Sequence, residues 1–200
     1  MERPAANKKL SFWKGRIFIL KLQAPSMDLQ MLNAKICSCR LCPLWEDRCL
    51  AVPGEGPCPS VIMLVGEAPG MQEDQSGRPF AGRAGRLLTL ALAEAGIDRD
   101  QVFITSIIKC RPPKNRKPKK GEVKTCLPYL EDQMELVKPR AVGLMGNVAT
   151  NAILGLEGVT NHHGQLHQGR FLVTFHPAAV LRNKNLMEIF IADLRLLEDL

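Results

Sequence analysis

Seven cysteines stand in the 200 residues, and two pairs of them have the spacing of metal ligands. Cys39-Arg40-Leu41-Cys42 is one pair, and Cys110 with Cys126 is a second, distant one. Four soft thiolates arranged in this way suit zinc or an iron–sulfur cluster, because near neighbours grip one centre while the far pair closes the cage. Small buried hydrophobes are the other reading of the same residues, and Cys37 offers a rival register for the near pair. Cys49 and Cys58 are read as non-ligands.

The second constellation is Gly66-Glu67-Ala68-Pro69-Gly70, followed by Glu73-Asp74, Gly77-Arg78-Pro79-Phe80 and Gly82-x2-Gly85. It has neither the Gly-Lys-Ser/Thr ending nor the spacing of a P-loop. Its glycines permit close backbone approach to a ligand, and amides opening a helix near Gly85 are expected to face an anion. Phe80 is either a core plug or a ring that stacks on a flat ligand. The third is Thr174-Phe175-His176-Pro177, where His176 is placed to donate a hydrogen bond or a proton; a surface histidine before a turn proline is the alternative. His162, His163 and His167 fall in a glycine-containing loop and are expected to be solvated, with no metal site. The fourth is the run from Lys109 to Lys120, in which Arg111, Lys114, Arg116, Lys117 and Lys119 are separated by Asn115 and by Pro112, Pro113 and Pro118. Such runs are commonly solvated faces, but prolines keep this one extended between two cysteines, which suits a phosphate backbone.

These residues need a scaffold, and the chain supplies four short apolar runs bounded by turn residues: Val61–Val65, Val102–Ile104, Ala141–Leu144 and Phe171–Phe175. They predict strands, most of them buried on both faces. Helical spacing lies between them: Gly85 to Ala95, Glu122 to Val137 with a continuous helix beginning at Pro128, Asn147 to Leu154 and Asn185 to Leu197. A further helical pattern after Met27 places Leu29, Leu32 and Ile36 on one face. Alternation of this kind predicts an α/β fold: a single three-layer α/β/α domain around a central, mainly parallel four-stranded sheet. Ligands of such sheets bind at the carboxyl ends of strands, which is where Gly66–Gly70, Thr105-Ser106, Gly146-Asn147 and His176-Pro177 fall. The predicted division is a flexible basic extension over residues 1–26 and one domain over 27–200, with Met27 an alternative start.

Composition narrows the classes further. The hydrophobic share of 46% excludes general disorder, and the net charge of +7 is concentrated locally. Lys109 to Lys124 carries eight basic residues against Glu122 alone. No apolar run reaches the roughly 18 residues of a membrane span, and Arg16 and Lys21 bracket Ile17–Leu20 too closely for a signal peptide. The expectation is a soluble, cytoplasmic protein with no membrane partner, whose basic surface meets phosphates.

In order along the chain, Cys39-x2-Cys42, Gly66-Glu67-Ala68-Pro69-Gly70, Glu73-Asp74, Gly77-Arg78-Pro79-Phe80-Ala81-Gly82, Ala84-Gly85, Lys109-Cys110-Arg111-Pro112-Pro113, Asn115-Arg116, Cys126 and Phe175-His176-Pro177 resemble the uracil-DNA glycosylase superfamily, most closely its iron–sulfur family 4. The resemblance runs from about Asp28 to the C-terminus. It implies a monofunctional DNA-repair glycosylase of a prokaryotic cytoplasm or nucleoid. Such an enzyme flips uracil out of DNA and hydrolyses the N-glycosidic bond to leave an abasic site. It also implies a [4Fe–4S] cluster on Cys39, Cys42, Cys110 and Cys126, structural in role, pinning the basic loop. Catalytic roles fall to Glu67, Glu73 and His176, with His176 donating to the charge that develops on uracil O2. Glu67 shapes the first motif near the cationic sugar, and Glu73 guards the C5 position or organises water. Base-binding roles fall to Gly66, Ala68, Phe80 and Ser106, and DNA-binding roles to Arg111, Lys114, Arg116, Lys117, Leu181 and Arg182. Leu181 is the expected wedge in the vacated stack. The implied partners are DNA carrying uracil or another deaminated base and, as a recruiter, a sliding clamp or polymerase; the implied state is a monomer.

Ser106 departs from the family, whose members commonly carry Asn there to read uracil O4 and N3–H together. A rotating hydroxyl discriminates less, which implies weaker uracil recognition or a broadened or changed base preference. Ala68 likewise stands where another glycosylase family has a water-positioning Asp. The relatives that trap the sugar on a loop histidine are a poor match, since Lys109 to Lys124 contains none. The competing classes are a non-catalytic iron–sulfur nucleic-acid-binding protein of the same fold and, more distantly, a zinc-stabilised nucleotide-binding domain.

Overall fold

The computed structural model describes residues 28–200 and, ahead of them, two short strands, β1 (Phe12–Trp13) and β2 (Arg16–Ile17), that pair antiparallel. The rest of the predicted basic extension lies outside the described residues. The apolar runs become β3 (Ile62–Gly66), β4 (Val102–Ser106), β5 (Ala141–Met145) and β7 (Phe171–Thr174), each buried along its whole length. Burial on both faces is what makes a run apolar without alternation. Sheet order is β4-β3-β5-β7-β6, with every pair parallel except the last. The fifth strand, β6 (Leu166–His167), is an addition to the four expected from sequence. Its two residues carry no periodic signal, and it exists only through antiparallel pairing to β7.

Helices cover both faces. α4 (Arg83–Glu94) and α8 (Met187–Glu198) pack Leu88, Leu92, Phe190 and Leu194 against Ile62, Leu64 and Ile104. α5 (Lys120–Val137) and α6 (Asn147–Leu154) pack Leu130, Val137, Val148 and Ile153 against the alternate residues Met63, Val65 and Phe103. Outside these layers α1 (Leu29–Ser38) rests Leu32 and Ile36 on Ala51, Tyr129 and Leu136. α5 runs unbroken through Pro128, ahead of which the sequence pattern had placed the break. Pro128 faces solvent, so water can satisfy the Lys124 carbonyl that loses its i→i−4 donor. Three short helices, α2 (Leu44–Asp47), α3 (Met71–Ser76) and α7 (Pro177–Arg182), complete the described chain.

β3 has β4 on one side and β5 on the other, because the chain steps out from β3 to β4 and then crosses back over β3 to β5. The carboxyl ends therefore diverge at a switch point, opening a crevice beside Gly66. Parallel register sets Gly66 opposite Ser106 and Met145 opposite Thr174, which brings the loops after these strands to one rim.

Candidate active site

A cleft of about 720 Å³ opens at that rim, lined by Glu67, Ala68, Glu73, Phe80, Ser106 and His176 among others. Phe80 is the floor. Its backbone takes φ +51°, a left-handed conformation that a residue with a side chain adopts at a cost of order 1 kcal/mol or more. Two glycines shape its seat. A Cβ on Gly66 would stand 2.7 Å from the ring Cζ, and one on Gly85 would stand 1.5 Å from the Phe80 carbonyl oxygen. These are close backbone approaches that only glycine allows. Phe80 is nearly buried, as a core residue would be, yet its ring also lines the cleft floor.

His176 faces it across 5.7 Å between ring centroids. It caps α7: Nδ1 accepts the backbone N–H of Ala178 at 3.1 Å. Enclosure of all but the cleft edge, helped by the charge of Arg182, pulls its pKa from 6.5 down to about 4. The imidazole is therefore neutral at pH 7, and with Nδ1 accepting, its proton sits on Nε2 and is free to be donated. Gly146, at φ +91°, backs the ring, since a Cβ there would lie 2.9 Å from His176 Cβ. Glu67, directly after β3, is half-buried. Burial raises its pKa, and the ammonium of Lys117 on the basic loop partly offsets the rise.

Glu73 holds the cleft together. Its carboxylate accepts the Gly70 N–H at 3.1 Å and the Gly82 N–H at 2.8 Å, capping its own helix and the start of α4. The anion expected at the amides near Gly85 is therefore the chain's own side chain. Ser106 is buried, its Oγ beside the Gly66 backbone. Beneath it lies a group that sequence reading had counted among the loop cations. Lys109 is fully enclosed, donating to Thr105 Oγ1 at 2.6 Å, to the Ser106 carbonyl at 2.7 Å and to Gln133 Oε1 at 2.7 Å. Burial lowers its pKa to about 7, the opposing contribution coming from Cys126. Lys109 continues the buried run Ile107-Ile108, and nothing local distinguishes it from the exposed lysines that follow.

Lys109 also lines a second, narrow cavity, whose wall includes the four cysteines Cys39, Cys42, Cys110 and Cys126. None of the four is paired in a disulfide, and Arg48 donates to Cys110 Sγ at 2.9 Å and to the Cys37 carbonyl at 2.6 Å. Cys37, Cys49 and Cys58 are exposed and line no part of it. Among the described residues no three His, Cys, Asp or Glu side chains converge tightly enough for a single ion. The sulfurs stand around a shared space, the layout for a group that spans them.

The basic loop is ordered by its own contacts. Arg116 pairs bidentately with Glu122 at 2.6 and 2.9 Å, which holds the Glu122 carboxyl below its usual range, and Arg111 donates to Asn115 Oδ1 at 2.7 Å. Lys114 and Lys117 project into solvent, while Arg116 and Arg182 reach the cleft rim. Leu181 is half-buried on α7 beside them. His163 departs from the solvated role expected of it: its ring lies 5.0 Å from Phe175, and its Nδ1 is 3.4 Å from the buried carboxylate of Asp193. Asp193 in turn accepts from the Thr174 hydroxyl at 2.7 Å, tying α8 to the end of β7.

A model of the uracil DNA glycosylase superfamily matches residues 53–195. The chain is 46% identical to a type-4 uracil-DNA glycosylase of Pyrobaculum aerophilum, over 84% of this chain and 92% of that one. It is 40% identical to the type-4 enzyme of Sulfurisphaera tokodaii, over 86% and 84%, and 37% identical to that of Thermotoga maritima, over 78% and 85%.

Proposed function

The chain belongs to the uracil-DNA glycosylase superfamily, with type-4 enzymes as its relatives, and on that premise we propose that it excises uracil from DNA by hydrolysing the N-glycosidic bond. The observation that carries this reading is the neutral His176, its tautomer fixed by the Ala178 amide, across the cleft from an aromatic floor. A base flipped onto Phe80 presents an edge to Nε2–H. As the glycosidic bond breaks, negative charge gathers on the uracil carbonyl, and a preorganised neutral donor stabilises it by about 3 kcal/mol. Being neutral, His176 adds no cation beside the oxocarbenium-like sugar, while Glu67 supplies carboxylate charge on that side. Ser106 Oγ, beside the Gly66 backbone, addresses the base edge. Glu73 acts by positioning, because both its oxygens hold backbone amides. Lys114 and Lys117 contact the DNA backbone, and Leu181 fills the gap left by the flipped nucleotide.

The four cysteines fit a [4Fe–4S] cluster, since an all-sulfur donor set around one cavity is the chemistry that such a group requires. When bound, it supplies a cross-link rather than redox chemistry, joining the turn after α1 to the exit of β4 and to α5. Cys110 and Cys126 then clamp both ends of the basic loop.

The test is a strand-cleavage assay on a uracil-containing oligonucleotide, with alkali to break abasic sites. Cleavage by the native protein that disappears in His176→Ala supports the reading. No cleavage of uracil, hypoxanthine or xanthine substrates by protein with an absorbance band near 400 nm would overturn it in favour of a binding protein.

A further inference from the structure

The left-handed backbone at Phe80 needs something to hold it, and the glycine contacts of Gly66 and Gly85 only make room. The peptide plane that enters Phe80 carries the Pro79 carbonyl, and holding that carbonyl in one direction constrains the ψ of Pro79 and the φ of Phe80 together. That carbonyl accepts a hydrogen bond from Arg99 Nη2 at 3.1 Å. Arg99 is itself immobilised: Nη2 also reaches Glu55 Oε1 at 3.1 Å, and Nη1 reaches Thr89 Oγ1 at 3.1 Å. Both partners are anchored to elements of the cleft. Glu55 exchanges backbone hydrogen bonds with Ile104 of β4 at 3.0 and 2.7 Å, and the Thr89 hydroxyl donates to the Gly85 carbonyl at 3.1 Å. The guanidinium side chain is only 18% exposed, whereas Arg78, the outer partner of Glu55, is 71% exposed.

We propose that Arg99 is a positioning residue for base recognition: through the Pro79 carbonyl it holds Phe80 in the orientation that stacks on the flipped base. The inference rests on the reading of Phe80 as the stacking platform. Arg99 touches neither base nor sugar, and a planar fork is needed to join three acceptors at once.

A double-mutant cycle tests it, using Arg99→Gln and Phe80→Ala in the full-length protein, with single-turnover release of uracil and affinity for abasic-site DNA as readouts. Arg99→Gln is expected to lower the uracil rate by about 10- to 100-fold, as misplacement of a bound group does. In the Phe80→Ala background the same change is expected to cost less than about twofold. Abasic DNA has no base to stack, so its affinity is expected to stay unchanged, which a general loss of structure would not spare. Arg78→Ala is expected to leave all readouts unchanged. If Arg99→Gln fails to fold, Glu55→Gln takes its place in the cycle, with a smaller loss of rate that again vanishes with Phe80→Ala. Equal losses in both backgrounds, or none in either, would overturn the role of Arg99 alone. A fully active Phe80→Ala would overturn the stacking platform and the inference with it.

Discussion

The cleft and the cysteine cavity lie at opposite ends of one segment, Ser106 to Cys110, and they are built on opposite plans. The cleft is open, and its working groups keep an edge free: among the described residues neither His176 Nε2 nor the half-buried Glu67 carboxylate has a hydrogen-bond partner. The cavity is narrow, and its neighbours are committed: Lys109 donates three hydrogen bonds and Arg48 two. Groups left unsatisfied mark a place where a ligand comes and goes; satisfied ones mark a place where something stays.

The largest effect that would sharpen this contrast is on the cleft side. His176→Ala is expected to lower the single-turnover rate about 10²- to 10³-fold. Absorbance near 400 nm should stay unchanged, and loss of that band together with activity would break the contrast. Cys126→Ala is the reverse case. It should remove the band and lower stability by about 2–5 kcal/mol, as loss of a cross-link closing a long loop does, read by thermal unfolding. Glu67→Gln is expected to cost about 10²-fold in rate, at the low end of what a positioned catalytic side chain contributes. Burial raises the Glu67 pKa, so the native carboxylate protonates at a pH above the ordinary 4.5. The rate should fall as pH drops through that raised value, and the variant should lack this acid limb in a pH–rate profile. Lys117→Ala is the smallest change. It should reduce the salt dependence of DNA affinity by about one unit of slope and move the acid limb upward, because its charge now holds Glu67 down.

Much of this was legible in the chain, for stateable reasons. Strands buried on both faces leave unbroken apolar runs, so β3, β4, β5 and β7 could be placed within a residue or two. β6 could not, because two half-exposed residues have no pattern of their own. Phe80, His176 and the four cysteines stood out as candidates by residue type and spacing, and the structure brings Phe80 and His176 to one cleft and the four cysteines to one cavity. Lys109, Arg99 and Asp193 did not, because their roles depend on burial and on partners distant in the chain. The sequence also reads Glu73 as a group for the ligand, while the structure ties it to two backbone amides.

One more consequence follows from α1. Its fully enclosed apolar residues are only Leu32 and Ile36, which pack with Ala51, Tyr129 and Leu136 in a small cluster that meets the core under α5 and α6 through Leu29 and Tyr129. With only two enclosed side chains, this helix is expected to open at lower free energy than the sheet. The turn that follows it carries Cys39 and Cys42, so the proposed group on those sulfurs and on Cys110 and Cys126 would raise the free energy of that opening. Amide hydrogen exchange along Leu29–Ser38 would then report on the integrity of the sulfur cage, while protection in β3 and β5 continued to track global stability.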